Sequence, residues 1–370
     1  MLDDNQMKDV IGSGAYNPGD VTFLLNPVSI KPTDVAEKER LIQSGEAHYS
    51  EMISEERRPD ARYTELFEGA EETGAPRIAA EMVRIAATIR DMIARGVLPK
   101  QITLCSLVRA GVPFGVILQR ELKAIGVDTA HFGISIIRDK GLDEVAMRHI
   151  VSERGIDGIL FVDGWTGKGA ITNELRSAWR RLAGRDPFLI VQADPCGRAD
   201  LSGSFDDWLI PSGIMGGNVS GLVSRSILND EILAAGTFHG CMRLDHMNDI
   251  DISLSHVDKI TALAEPLRDG AKPLAPLPGE AWKNRVLADT TINRVARTYK
   301  IRNRNRIKPG IAEATRAVLR RKPHLVVLRN TTDPDLSALL HLCCNDGVDM
   351  LVDPKLTGPY RAITIIEKTS

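Results

Sequence analysis

An α/β fold with a mostly parallel sheet is what this sequence predicts, and three observations predict it. Apolar runs of strand length at residues 102–107, 131–137, 159–162 and 188–193 alternate with helical segments at 112–125, 143–154 and 170–182. Those separations suit right-handed crossovers, which leave parallel strands covered on both faces. Charged, glycine-bearing loops follow the strand ends, where such sheets bind their ligands.

Taken in order, residues 1–32 hold Gly, Pro and Asp punctuation around one short strand-like run, 21–25, and read as an N-terminal arm. From residue 33 the pattern becomes helical. Asp34, with Glu37 three residues on, caps a helix running to about Ser44. Residues 77–95 are amphipathic, with Ile78, Met82, Ile85, Ile89 and Ile93 on one stripe. These helices form an N-terminal cap on a body spanning 33–266. Residues 267–280, with Pro273, Pro276 and Pro278, read as a linker to a smaller α/β domain over 281–370.

The 370 residues allow more than one domain, and 43% hydrophobic with 26% charged residues is ordinary for a globular protein. The net charge of −2 conceals an asymmetry. Residues 281–370 hold 17 Lys and Arg against 8 Asp and Glu, or +9, so the remainder carries −11. A basic tail on an acidic body points to a polyanion partner for the tail. Five cysteines, Cys105, Cys196, Cys241, Cys343 and Cys344, fall at no metal or disulfide spacing. With an acidic, polar start and no apolar run of about 18 residues, they predict a cytoplasmic protein without a membrane partner.

Residues 159–171 read Ile-Leu-Phe-Val-Asp-Gly-Trp-Thr-Gly-Lys-Gly-Ala-Ile. A buried strand delivers Asp163 to a glycine-rich turn that opens a helix. Gly167 and Gly169 permit close backbone approach to an anion, Thr166 offers a hydroxyl and Lys168 a positive charge, while Asp163 can accept from sugar hydroxyls. A phosphorylated sugar suits this loop. A Walker A loop does not, because Gly169 follows Lys168 where Ser or Thr is required. After the first strand, Arg109 beside Gly111 offers paired donors to a diphosphate. After the second, Arg138, Asp139 and Lys140 precede Gly141 in a charged loop of the kind that closes over a ligand. Residues 194–225 are dense in Gly, Ser and Asp and read as a binding region, with Asp207 and Ser212 as candidates to read an acceptor.

These loops, in this order, resemble the type I phosphoribosyltransferases. Residues 162–171, the run Val-Ser-Gly-Leu-Val-Ser-Arg at 219–225 and Phe238-His239-Gly240 more closely resemble a phosphoribosyltransferase-like family found with bacterial tellurium-resistance stress clusters. The resemblance covers roughly residues 17–266. It implies transfer from phosphoribosyl pyrophosphate with displacement of pyrophosphate, and Mg²⁺ bridging the diphosphate. Asp163 would hold ribose hydroxyls, Thr166 to Gly169 the 5-phosphate, Arg109 with Gly111 the pyrophosphate, and residues 138–143 a flap. Gly164 stands where such transferases usually carry a second acid, and no residue is assigned directly to the metal. Relatives have also been labelled cysteine proteases of the StiP type, for which Cys241 with His239 would be nucleophile and base.

In the tail, Lys308, Gly310, Glu313 and Arg316 give a Lys-x-Gly-x-x-Glu-x-x-Arg spacing. With the expected strands at 325–328 and 350–352 and a helix at 335–344, it resembles the Pelota and kink-turn-binding ribosomal protein family over about 286–366. That implies RNA binding, with Gly310 admitting the phosphate backbone and Lys308 and Arg316 supplying charge. The leading expectation is a Mg²⁺-dependent phosphoribosyltransferase making a nucleoside-like metabolite in a stress response, with an RNA-binding tail. A nucleotide-sensing RNA binder without turnover and a Cys241 protease are the alternatives. The acceptor and any homo-oligomer stay open.

Overall fold

The computed structural model describes residues 10–368, so the first nine residues of the expected N-terminal arm lie outside the described residues. Six strands form an all-parallel sheet: β1 (Thr22–Phe23), β2 (Gln101–Leu107), β3 (Asp128–Ile134), β4 (Ile159–Trp165), β5 (Leu189–Ala193) and β6 (Leu201–Ser204). Their spatial order is β1-β3-β2-β4-β5-β6. The helices of this body are α1 (Val35–Ser44), α2 (Ala61–Ala94), α3 (Val112–Ala124), α4 (Glu144–Arg154), α5 (Ala170–Ala183) and α6 (Ser253–Ala264).

The two-residue alternation of β4 sorts the core. Leu160 and Val162 pack with Ile78, Met82 and Phe114 from α2 and α3, whereas Ile159 and Phe161 pack with Met147, Leu175 and Trp179 from α4 and α5. The chain runs from β2 outward to β3 and then crosses back to β4. The adjacent strands β2 and β4 therefore send α3 and α5 to opposite faces, which opens a crevice at their carboxyl ends.

Asp34 caps α1 as expected, accepting from the N–H groups of Ala36 and Glu37. Helix α2 is longer than the stripe at 77–95 suggested. It begins at Ala61 and runs through Pro76, because Tyr63, Phe67 and Ala70 continue a buried face that the Gly-Ala-Pro run at 74–76 masks in the sequence.

The C-terminal domain has strands β7 (Ile307–Pro309), β8 (Pro323–Leu328), β9 (Met350–Val352) and β10 (Ala362–Ile366) in the order β7-β10-β8-β9. Its helices are α7 (Pro278–Thr298), α8 (Ile311–Arg320) and α9 (Ser337–Asn345). Strands β7 and β10 have no counterpart in the sequence reading. The domain is docked on the body through a shared apolar cluster, in which Tyr63 and Phe67 of α2 meet Ile311, Ala314 and Val318 of α8 and Leu339 of α9. Residues 194–225, read as an open binding region, are largely buried in that seam. Leu209, Ile214, Met215 and Val219 join the cluster, and Gly213 is required because a Cβ there would lie 2.9 Å from the Ala312 Cβ.

Candidate functional site

A cavity of about 340 Å³ lies at the carboxyl ends of β2 and β4, between the body and the C-terminal domain. Its lining includes Lys38, Arg109, Arg138, Lys168, Arg225, Lys308, Arg316, Arg320 and Arg321 against the carboxylates of Asp163 and Glu313. Nine cationic side chains face two carboxylates in the lining, and with Glu56 and Glu39 pairing Arg109 and Arg321 the cavity is still positive on balance.

Seven of the nine cations fall into two groups, and Arg321 is felt by members of both. On one side Lys168 feels Lys308, and both feel Arg138 and Glu313. On the other, Arg109, Arg316, Arg320 and Arg225 crowd together around Glu56. Asp163 lies between, sensing both Arg316 and Glu313.

Crowding and burial both act against charge here. Burial, then Lys308, brings Lys168 down to about 7. Burial brings Arg225 and Arg320 down to about 10 and Lys38 to about 8. Burial pushes the Asp163 carboxyl up to about 7, with the Gly164 N–H and Arg316 pulling the other way. Although burial opposes it, Lys308, Lys168 and Arg316 hold Glu313 below the usual carboxylate range. One carboxylate is thus poised to exchange a proton near neutrality while the other stays charged.

The glycine-rich turn is clamped by the second domain. Lys168 Nζ donates to the Ile307 carbonyl at 2.8 Å, and the Tyr360 hydroxyl donates to the Gly167 carbonyl at 2.9 Å. A Cβ on Gly167 would meet the Glu313 Cγ at 3.3 Å. Arg316 stacks 4.6 Å from the Trp165 ring centre and donates to the carbonyls of Gly213 and Ser212 at 3.1 and 3.2 Å.

Of the expected site residues, Asp163, Thr166, Gly167, Lys168, Gly169, Arg109 and Arg138 do line one cavity. Several do so in another capacity than expected. The Thr166 hydroxyl donates to Asp194. Gly169 has φ +82°, and a Cβ there would strike the Arg198 side chain at 2.2 Å. Gly111 clears the body's own backbone and no anion, since a Cβ would lie 2.1 Å from the Val162 carbonyl oxygen. Arg109 is held by Glu56, which accepts from its Nη2 at 2.7 and 2.9 Å, and its Nη1 donates to the Val223 carbonyl at 3.1 Å. Its buried Nε has no hydrogen-bond partner among the described residues.

Asp139 and Lys140 are exposed and do not line the cavity. The loop is a tight hairpin turn, fastened where Asp139 N–H donates to Glu174 at 2.8 Å and Arg138 N–H to the Tyr49 hydroxyl at 2.8 Å. Asp207 and Ser212 are buried and do not line the cavity. Asp207 is buried and accepts from the N–H groups of Ile311 and Arg361, at 3.0 and 2.7 Å, docking the second domain.

The expected RNA residues are turned inward. Lys308, Glu313 and Arg316 line the cavity, and Gly310 is buried against Asp207, because the β7–α8 corner is the part of the domain that docks on the body. Cys241 is fully buried, with its thiol pushed up to about 11 by burial and bonded to the Ser224 carbonyl at 3.2 Å. His239 instead bonds Ser135 at 2.7 Å, and among the described residues no cysteine has a histidine as hydrogen-bond partner. A cysteine nucleophile has no support in this geometry.

Residues that the sequence reading passed over complete the site. Arg320 and Arg321 belong to a basic run at the end of α8, and Arg225 ends the run at 219–225, so both carried some signal. Lys38 and Glu56 lie in the stretch from residue 33 that reads as a helical N-terminal cap, and nothing local marks them.

Residues 14–261 match a family described as tellurite-like stress resistance cysteine protease StiP, and residues 286–368 match the PELOTA RNA binding domain. The cysteine protease StiP of Acinetobacter baylyi is 44% identical over 368 residues, covering 96% of this chain and 94% of its own. Among solved structures, a mutant hypoxanthine phosphoribosyltransferase from Trypanosoma cruzi, complexed with the product IMP, is 16% identical over 34% of this chain and 66% of its own, at a TM-score of 0.26. HGPRT-ase from Leishmania tarentolae in complex with GMP is 17% identical over 34% of this chain and 75% of its own, at 0.28.

Proposed function

The chain belongs to the StiP family of tellurite-like stress resistance proteins, and from that premise we propose that its inter-domain cavity binds phosphoribosyl pyrophosphate and transfers the phosphoribosyl group to an acceptor. The observation that carries this reading is the placing of Asp163 between two sets of cations, Lys168 and Lys308 with Glu313 on one side and Arg109, Arg316 and Arg320 on the other. A sugar with a phosphate at one end and a diphosphate at the other has that charge pattern. Lys168, Lys308 and Arg138 take the single phosphate, and Arg109, Arg316 and Arg320 take the diphosphate, whose charge grows as it leaves. Asp163 orients the ribose hydroxyls and, with its carboxyl near 7, can take a proton from the acceptor. Glu313 stays charged and stabilises the cationic ring.

The described residues contain no group of three or more His, Cys, Asp and Glu side chains able to hold a metal. Glu313, the carboxylate that stays charged, would hold a Mg²⁺ together with phosphate oxygens of the substrate, a donor set of one or two carboxylates plus phosphates that suits this ion. The metal would supply Lewis-acid polarisation of the leaving group. The domain matched to the PELOTA RNA binding domain brings RNA as a second partner.

Calorimetric titration of phosphoribosyl pyrophosphate with Mg²⁺ into the wild type and Asp163→Asn tests this. Saturable binding in the wild type, with pyrophosphate release lost in Asp163→Asn, is the expected result. Binding without any pyrophosphate release across candidate acceptors would favour a nucleotide sensor, and absence of binding would refute the reading.

A further inference from the structure

The corner that carries the Lys-x-Gly-x-x-Glu-x-x-Arg spacing faces the inter-domain cavity, which leaves the other faces of the C-terminal domain to meet a long RNA strand. Helix α7 offers the alternative. Its buried side, Ala288, Ile292, Val295 and Ala296, packs into the domain core. Trp282, Val286, Asn293 and Arg297 then share the opposite, solvent side at spacings of four, seven and four residues. Trp282 is 64% exposed and Val286 47% exposed. Just beyond the helix, Lys300, Arg302 and Arg304 are also exposed.

Arg297, Lys300, Arg302 and Arg304 form no ion pair with any described residue. Arg304 donates to the Asn293 side chain at 2.6 Å, which ties the basic turn to the helix face. Asp289, a carboxylate bordering this face, is taken by Arg198 at 2.7 Å. An exposed indole at one end of a helix of 21 residues, about 30 Å long, and unpaired guanidinium groups at the other make a stacking platform joined to a phosphate track.

We propose that single-stranded RNA binds along α7 and the turn after it, with Trp282 stacking a base and Arg297, Lys300, Arg302 and Arg304 holding phosphates, outside the cavity that takes the small polyanion. This rests on the reading of the C-terminal domain as an RNA binder and adds the surface, the strand state and the independence of the two sites. Charge complementarity selects RNA over an apolar partner, since the basic end contributes more of the face than Trp282 and Val286 do.

The test is fluorescence anisotropy of a labelled oligouridylate of about twelve nucleotides, a length within the reach of one such site, against the full chain at several salt concentrations. Arg297→Glu with Arg302→Glu should weaken binding more than tenfold. The milder Arg297→Gln with Arg302→Gln should reduce the slope of log affinity against log salt by about 1.4, at about 0.7 per phosphate on a single strand. Trp282→Ala should weaken binding about tenfold, and Arg316→Ala and saturating pyrophosphate should leave it unchanged. Circular dichroism and thermal midpoints establish that each variant is folded. If the α7 variants bind as the wild type does while Arg316→Ala or pyrophosphate weakens binding, RNA uses the inner corner and the proposal is overturned while the RNA reading stands. If the wild type binds no RNA, both fail. If Trp282→Ala alters only sedimentation behaviour, the face joins two copies of the chain and the proposal is again overturned.

Discussion

Glu56→Gln removes the carboxylate that Arg109 and Arg320 share, and it should destabilise the protein more than a change at a loop residue ordinarily does. The Glu56 side chain is 11% exposed, accepts from Arg109 at 2.7 and 2.9 Å, and lies 3.9 Å from Arg320. Burial alone would raise its carboxyl, but the two guanidinium groups hold it at about 2 against the usual 4.5. At about 1.36 kcal/mol per pH unit that difference is about 3 kcal/mol. The figure agrees with the roughly 3–5 kcal/mol lost when a buried ion pair is left with one partner.

The sign follows from linkage. A depressed carboxyl contributes stability that is complete above about 4.5 and is lost as the pH falls toward about 2. The variant should therefore lie about 3 kcal/mol below the wild type at pH 7, and the gap should narrow at pH 3. Urea denaturation at the two pH values measures both. Removing a negative charge also leaves the cavity more cationic, so pyrophosphate should restore more stability to Glu56→Gln than it adds to the wild type. A variant within about 0.5 kcal/mol of the wild type at pH 7, or a gap unchanged at pH 3, would refute the counter-ion role.

Two further outcomes follow from the same electrostatics. Lys168 is brought down to about 7, so anion affinity should fall as the pH rises through that value, and pyrophosphate binding at pH 8 should take up protons. Calorimetry in buffers of differing ionisation heat reads this uptake, and Lys168→Met should reduce it. In the native protein Cys344 is exposed and the other four cysteines are buried, so a thiol reagent should titrate one group promptly and five after denaturation. Prompt reaction at Cys241 would reopen the case for a cysteine nucleophile.

Much of this site was legible locally. Asp163 and the Thr166–Gly169 turn stood out because a strand-to-helix turn concentrates its signal in consecutive residues. The same local view misassigned glycines and hydroxyls whose partners are distant in sequence. Gly111 is needed by Val162, Thr166 is taken by Asp194, and Asp207 serves Ile311 and Arg361. Their residue types were right for ligand chemistry, but the packing had already used them.

By itself, then, the sequence determined the α/β alternation, the sheet's buried strands, the phosphate-sized loop and the basic character of the tail, because periodicity and turn chemistry act within a few residues. Only the tertiary structure decided that the tail domain borders the cavity and contributes Lys308, Glu313, Arg316, Arg320 and Arg321 to it. That arrangement depends on an apolar seam joining Tyr63 and Phe67 to Ile311 and Val318, residues some 250 positions apart. Burial between side chains so far apart leaves no spacing in the sequence to read.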